Sequence, residues 1–443
     1  MDRGPRPAVD PVLHARHVAD PAPGVRRRSA PGPAARRAAG RHRDRVRRRP
    51  GPHLARATQA GERAVTAPVQ TPPAEDAAAP VTPPGTPGTP GASRARLDFG
   101  RPTRVVRSRR GRFSARLDVR AAVVTLVLVV LAAAVGVVAL GVGDYAVAVP
   151  DVLRALTGDA PEVIRMVVVE WRLPRVLLAI LLGGALGMSG AIFQSLTRNP
   201  LGSPDIIGFN TGAYTGALVV ILLLGGSYSA VAAGAMIGGL ATAGIVYLLA
   251  YKNGVQGFRL IIVGIAISAM LASVNTWLIL KADLARAMAA ATWGAGSLNG
   301  LSWTQVLPVV LILAVLVPPL VLLGRRMNVL EMGDDAAQAL GVRSERTRLS
   351  LVVVGVALTA LVTAAAGPIA FISLAAPQLA RRLTRGATVG LASSAAMGAA
   401  LLAASDLVAQ RAFAPTQLPV GVVTVSIGGC YLVWLLAREA RRQ

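Results

Sequence analysis

Arg172-Leu-Pro-Arg175 opens a run without formal charge, Val176-Leu-Leu-Ala-Ile-Leu-Leu-Gly-Gly-Ala-Leu-Gly-Met-Ser-Gly-Ala-Ile-Phe-Gln-Ser-Leu196, and Thr197-Arg-Asn-Pro-Leu-Gly-Ser-Pro204 closes it. A helix needs roughly 20 apolar residues to cross about 30 Å of hydrocarbon, and this run supplies them. Lipid tolerates irregular backbone only where protein or a water-filled cavity surrounds it. The double-proline turn at 197–204 is therefore expected at the edge of a pathway, and transport is the first function to test.

Working outward, hydropathy windows place further spans near 120–142, 206–224, 229–251, 259–281, 302–323, 348–366, 388–405 and 418–437, with a short one at 368–382. Together with 175–196 they predict an all-α polytopic membrane protein of about ten transmembrane helices. With the N-terminus inside, 14 basic residues after the tail fall on the cytoplasmic side against seven outside, as the positive-inside rule requires. An even number of spans returns the C-terminus to the cytoplasm. Gly208, Gly212 and Gly216, with the pairs Gly183/Gly187 and Gly234/Gly238, have the small-xxx-small spacing that lets helix backbones approach in lipid.

The net charge of +25 is mostly a property of the tail, because residues 1–120 carry 26 Arg against nine acidic residues. Arg runs and Pro/Gly/Thr repeats without apolar periodicity predict a disordered extension over 1–115, ahead of a permease domain at 116–443. A solvated cytoplasmic tail is preferred to nucleic-acid or anionic-lipid binding. All four His lie within the first 53 residues, and Arg outnumbers Lys by 45 to 2. A GC-rich upstream stretch read as coding has this look, so the natural start is expected at Val65 or beyond. Cys430 is the only cysteine, which excludes an intramolecular disulfide and argues against a metal cluster.

The expected membrane interior holds Gln194, Asn210 and Asn275 but almost no carboxylate, His or Lys, with Asp406 the main exception near the end of the ninth span. Ion-coupled carriers keep ionisable groups at that depth, and membrane catalysis would need a motif such as HExxH or a carboxylate pair. Neither occurs, so energy must come from a partner. The connection Gly324–Arg348 contains Leu330-Glu-Met-Gly-Asp-Asp-Ala-Ala-Gln-Ala-Leu-Gly-Val342, where Leu330, Ala337, Leu340 and Val342 offer apolar contacts and Gly333 and Gly341 permit sharp turns. It reads as a docking knob or as an amphipathic helix lying on the membrane surface.

The residues then converge on a family. Trp171–Arg175, Ser189–Asp205, Leu330–Val342, Gly367–Arg382 and Leu418–Gly429 resemble, in order, the permease subunits of ABC importers for iron–siderophores, haem and cobalamin. Glu170–Arg175, Gly208–Ala213, Asn275–Trp277, Gly296–Gly300 and Leu330–Asp335 are most similar to ferric-enterobactin permeases.

The resemblance implies a type II importer permease fold, a second permease subunit in a homo- or heterodimer, cytoplasmic ABC ATPase subunits, an extracytoplasmic siderophore-binding protein and a bacterial cytoplasmic-membrane location. The ferric siderophore, a catecholate, is the implied substrate. A hydroxamate siderophore, haem or cobalamin is the alternative, and an ion-coupled carrier the runner-up from another class. No cofactor is implied for this chain, because it lacks a Walker motif and ATP with Mg is used by the partner ATPase.

By the same resemblance Arg172 and Arg175 dock the binding protein, while the family arginine in D-x-x-A-R is replaced here by Gln410, leaving Arg411 as a substitute. Leu330, Gly333, Asp334, Ala337, Leu340 and Gly341 form the ATPase-coupling element. Gln194, Asn199, Pro200, Gly208, Asn210 and Gly212 are assigned to the pathway or to packing.

Overall fold

A computed structural model describes residues 103–107, 114–251 and 257–440. Contacts divide the chain into Met1–Ala92, outside the described residues, and Ser93–Gln443, to which everything below refers. The expectations for the natural start and for most of the 1–115 extension thus lie outside the described residues. Within that extension a finding departs from expectation: β1 (Thr103–Arg107) pairs antiparallel with β2 (Ser114–Asp118), Thr103 opposite Asp118. The β-branched Thr103, Val105 and Val106 favour an extended backbone.

Asp118 caps α1 (Val119–Gly141) by accepting the amide of Ala121 at 3.1 Å. Then follow α2 (Val149–Thr157) and α3 (Glu162–Arg165), which runs through a π-helical stretch, Met166–Arg172, into α4 (Leu173–Thr197). Pro174 explains the widened turn, because its ring crowds the carbonyl four residues back and it has no N–H to donate. The amide of Leu173 reaches back to the carbonyl of Val168. The expected span 175–196 is therefore the inner part of a longer helix, Glu162–Thr197.

Beyond the proline turn come α5 (Pro204–Ile207), α6 (Phe209–Val219) with a π-helical end at Val220–Leu224, α7 (Tyr228–Ala250), α8 (Gly257–Lys281) and α9 (Leu284–Gly294). The chain continues through α10 (Trp303–Glu331), α11 (Asp334–Ala339), α12 (Ser344–Ala366), α13 (Ile372–Thr384), α14 (Leu391–Arg411) and α15 (Val420–Ala440). Each of the ten expected spans falls on a helix. Seven are long and apolar enough to cross a membrane, and Phe209–Leu224 and Val420–Trp434 are shorter apolar helices. The expected eighth span is α13, whose 13 residues reach only about 20 Å at 1.5 Å per residue.

The core is built around α4, buried along most of its length by α10, α12, α13 and α14. Leu178, Leu182 and Leu186 of α4 meet Leu320, Leu358, Leu361 and Leu402 there. Gly183 and Gly187 lie against the backbone carbonyls of Gly398 and Ser394, so a side chain at either would push α14 away. The Gly212/Gly216 and Gly234/Gly238 pairs do the same between α6 and α7. Backbone–backbone contact of this kind is how helices gain van der Waals energy where lipid supplies no hydrophobic drive.

Candidate functional site

Three groups of polar side chains stand out, one at each end of α4 and one along the turn that follows it. At the first end, Arg175 grips Asp406 of α14 bidentately, Nε to Oδ2 at 2.9 Å and an outer nitrogen to Oδ1 at 2.8 Å. Its remaining nitrogen donates to Gln417 Oε1 at 3.0 Å, and Gln410 donates to Asp406 at 2.9 Å. The side chains of Arg175 and Asp406 are 13% and 3% exposed, so this is an internal pair. Of the two arginines expected to dock a binding protein, Arg175 is thus drawn by Asp406 into the chain's own packing.

Arg172 turns elsewhere, donating to the carbonyls of Leu140 at 2.8 Å and Tyr145 at 2.6 Å. Those bonds use two of the five guanidinium donors, and no carboxylate contacts it among the described residues. It lies within electrostatic reach of Arg411, which repels it, and of Asp144, which attracts it. Arg411 itself has a buried Nε without a hydrogen-bond partner. Arginine donates to a carboxylate in a planar fork.

At the other end of α4, Arg198 takes a left-handed backbone conformation, φ 50°, that ends the helix. It donates to Asp334 Oδ1 at 3.2 Å and to the carbonyl of Leu330 at 2.9 Å. The same Asp334 oxygen accepts from Arg348 of α12 at 2.5 Å. Gly333, with φ 120°, lets the chain turn sharply before α11.

Within the knob, Leu330 and Ala337 are buried against this chain's own core, whereas Leu340 is 64% exposed beside exposed Asp335, Gln338 and Gly341. The apolar contact left for a partner is therefore Leu340, joined by the exposed Met332. Val342 packs partly buried on the core.

The residues assigned to pathway or packing all make internal contacts. Gln194 donates to the carbonyl of Leu374 at 2.9 Å, Asn199 caps the amide of Leu201 at 2.9 Å, and Pro200 accepts from Gln378. Gly208 and Gly212 sit against Ser268 and Thr242. Asn210 accepts from Thr363 at 2.9 Å and donates to Asp205. Asp205 is the residue that reasoning from the sequence passed over: its other oxygen accepts from Ser373 Oγ at 2.6 Å and the amide of Phe371 at 3.3 Å. The one sign in the sequence is its place after Ser203-Pro204, where Ser203 caps the amide of Ile206.

A bundle of apolar helices with one broken, short helix at its heart defines a polytopic membrane protein of the transport class. A family model matches residues 127–438, and the chain belongs to the FecCD transport family. It is 54% identical over 325 residues to the ferric enterobactin transport system permease protein FepG of Escherichia coli (strain K12), covering 73% of this chain and 98% of that one. It is 36% identical to the achromobactin transport system permease protein CbrC of Dickeya dadantii (strain 3937), covering 75% and 96%. Among solved structures, an inward-facing metal-chelate type ABC transporter superposes with a TM-score of 0.63 at 26% identity, covering 72% of this chain and 99% of that one.

Proposed function

We propose that this chain is the membrane permease subunit of an ATP-driven importer for ferric siderophores, with an anionic ferric catecholate of the enterobactin type as cargo. The observation that carries the reading is the 54% identity to FepG across nearly its whole length. In this reading the Arg172–Arg411 end faces outward and receives the carboxylates of a siderophore-binding protein. The α11 end faces the cytoplasm with both termini, and its exposed Leu340 seats on an ATPase subunit that hydrolyses ATP with Mg. A second permease, identical or related, completes the passage in the cytoplasmic membrane.

Reconstitution of the permease with its partner subunits in liposomes, supplied with radio-iron-labelled siderophores, tests the assignment. ATP-dependent accumulation of ferric enterobactin, in preference to a ferric hydroxamate, is expected. Uptake that ignores ATP and follows a sodium or proton gradient would overturn the mechanism, and equal uptake of both siderophores would overturn the cargo. Leu340→Glu tests the docking surface, since a charge placed in a contact that excludes water should strip the ATPase from the purified complex.

A further inference from the structure

We propose that Asp205 is a positioning residue for transport: it fixes the turn after α4 to the start of α13, so that a displacement of α11 is carried into α13 and α15. The inference rests on the reading that an ATPase acts at α11, and adds to it the route by which the displacement leaves that helix.

The route can be followed atom by atom. Asp334, at the start of α11, takes Arg198 at 3.2 Å, and Arg198 ends α4 and begins the proline turn. From that turn the carbonyl of Pro200 accepts Gln378 in the middle of α13. At the turn's far end, Asp205 accepts Ser373 Oγ at 2.6 Å and the amide of Phe371 at 3.3 Å, the residue that begins α13. Beyond α13, the ring of Phe371 lies against Gly428 of α15. The guanidinium of Arg382, near the other end of α13, stacks 5.9 Å from the Tyr431 ring and 5.4 Å from the Trp434 ring of the same helix. The turn thus holds α13 at its start and middle, and both ends of α13 touch the middle of α15, between Gly428 and Trp434.

Asp205 is the link in this chain that the chemistry makes hard to replace. It accepts three donors, from Asn210, Ser373 and Phe371, and no cation bridges to it among the described residues. A short helix that begins within the bundle leaves its first amides unpaired and its positive dipole end uncovered, and an anionic acceptor offsets both. α13 has no side-chain cap of its own, because its first position is Phe371 in a left-handed conformation, φ 70°. Such a backbone persists only when its surroundings hold it, and here the holding group comes from the turn, 166 residues earlier in the chain. Asn210, the third donor, is itself tied to Thr363 of α12 at 2.9 Å, which fixes the carboxylate from behind.

The test measures siderophore moved per ATP hydrolysed by the complete complex in liposomes. Asp205→Asn keeps the shape but turns an amide donor toward groups that also donate. The ratio should fall about tenfold, the scale of one charge-assisted hydrogen bond lost, with transport dropping further than hydrolysis. Ser373→Ala removes one donor and no charge, and should lower the ratio in the same direction by less. The double variant should be no worse than Asp205→Asn alone, because both changes break one contact. Transport and hydrolysis falling in proportion, or an unchanged ratio, would overturn the proposal. If Asp205→Asn fails to assemble, Ser373→Ala decides, and an unchanged ratio there overturns it. Leu340→Glu separates this from the underlying reading: ATPase retained in that variant defeats docking at α11, whereas ATPase lost there with a normal ratio in Asp205→Asn defeats only the route.

Discussion

The two ends of α4 are both held by arginine and aspartate, yet they are held differently. At one end a single Arg175 faces a single Asp406, both nearly sealed from solvent. At the other, one Asp334 is shared by Arg198 and Arg348, and both Arg198 and Asp334 are more than 40% exposed. In the buried pair Gln410 donates to Asp406 and Gln417 accepts from Arg175, so removing either charge strands the other. An exposed, shared carboxylate adds little to stability, so this contact can shift with α11 while both arginines stay on it. The difference teaches that α4 is anchored at the Arg175 end and adjustable where it meets α11.

Breaking the anchor should give the largest effect. Arg175→Ala strands Asp406 as a buried charge without its partner, which costs about 3–5 kcal/mol. Thermal unfolding of the purified permease should show a large loss, whereas the apolar pair Arg175→Met with Asp406→Leu should retain most of the stability. That retention is the informative half, since a pair kept for anchoring alone can be replaced by apolar residues of similar size.

A change midway along α4 sharpens the comparison by testing its packing without touching either ion pair. Gly183→Leu pushes against the carbonyl of Gly398 and the side chain of Leu402. Overpacking of this kind costs about 1–3 kcal/mol, measurable in the same unfolding assay, and Gly184→Ala beside it should be nearly silent because the nearest atom is 3.7 Å from its added carbon.

The smallest effect belongs to the adjustable end. Arg198→Ala removes a half-exposed contact worth about 0.2–1 kcal/mol, and the loss should shrink as salt rises. If Arg198→Ala destabilised the protein as much as Arg175→Ala, the two ends would be equivalent and the contrast would fail.

Much of this architecture could be read from the sequence because membrane spans are a local property. Twenty apolar residues announce themselves without knowledge of their neighbours, and all ten expected segments are helices. Local reading failed where a side chain's meaning depends on a distant one. Arg175 is read as a docking residue from its motif alone, and nothing beside it in the chain announces Asp406, 231 residues away. Asp205 looked like part of a Ser-Pro turn, because Ser373 lies 168 residues further on. α11 exposed a different limit: six residues are fewer than two helical turns, too few for periodicity to say that Ala337 faces inward and Leu340 outward.

The π-helical stretch Met166–Arg172 has a bearing on how this protein could have been edited by evolution. A π turn is one residue inserted into an α-helix, and each residue turns the helix by about 100°. The stretch ends at Arg172, which reaches to the end of α1, whereas Arg175 beyond it reaches to α14. Losing any single residue between 166 and 171 would restore the regular helix and leave a span of full length. It would also turn everything before it by about 100° around the axis relative to α4. At this point the chain could shed one codon without disturbing its hydropathy and still lose the geometry of one end of the molecule.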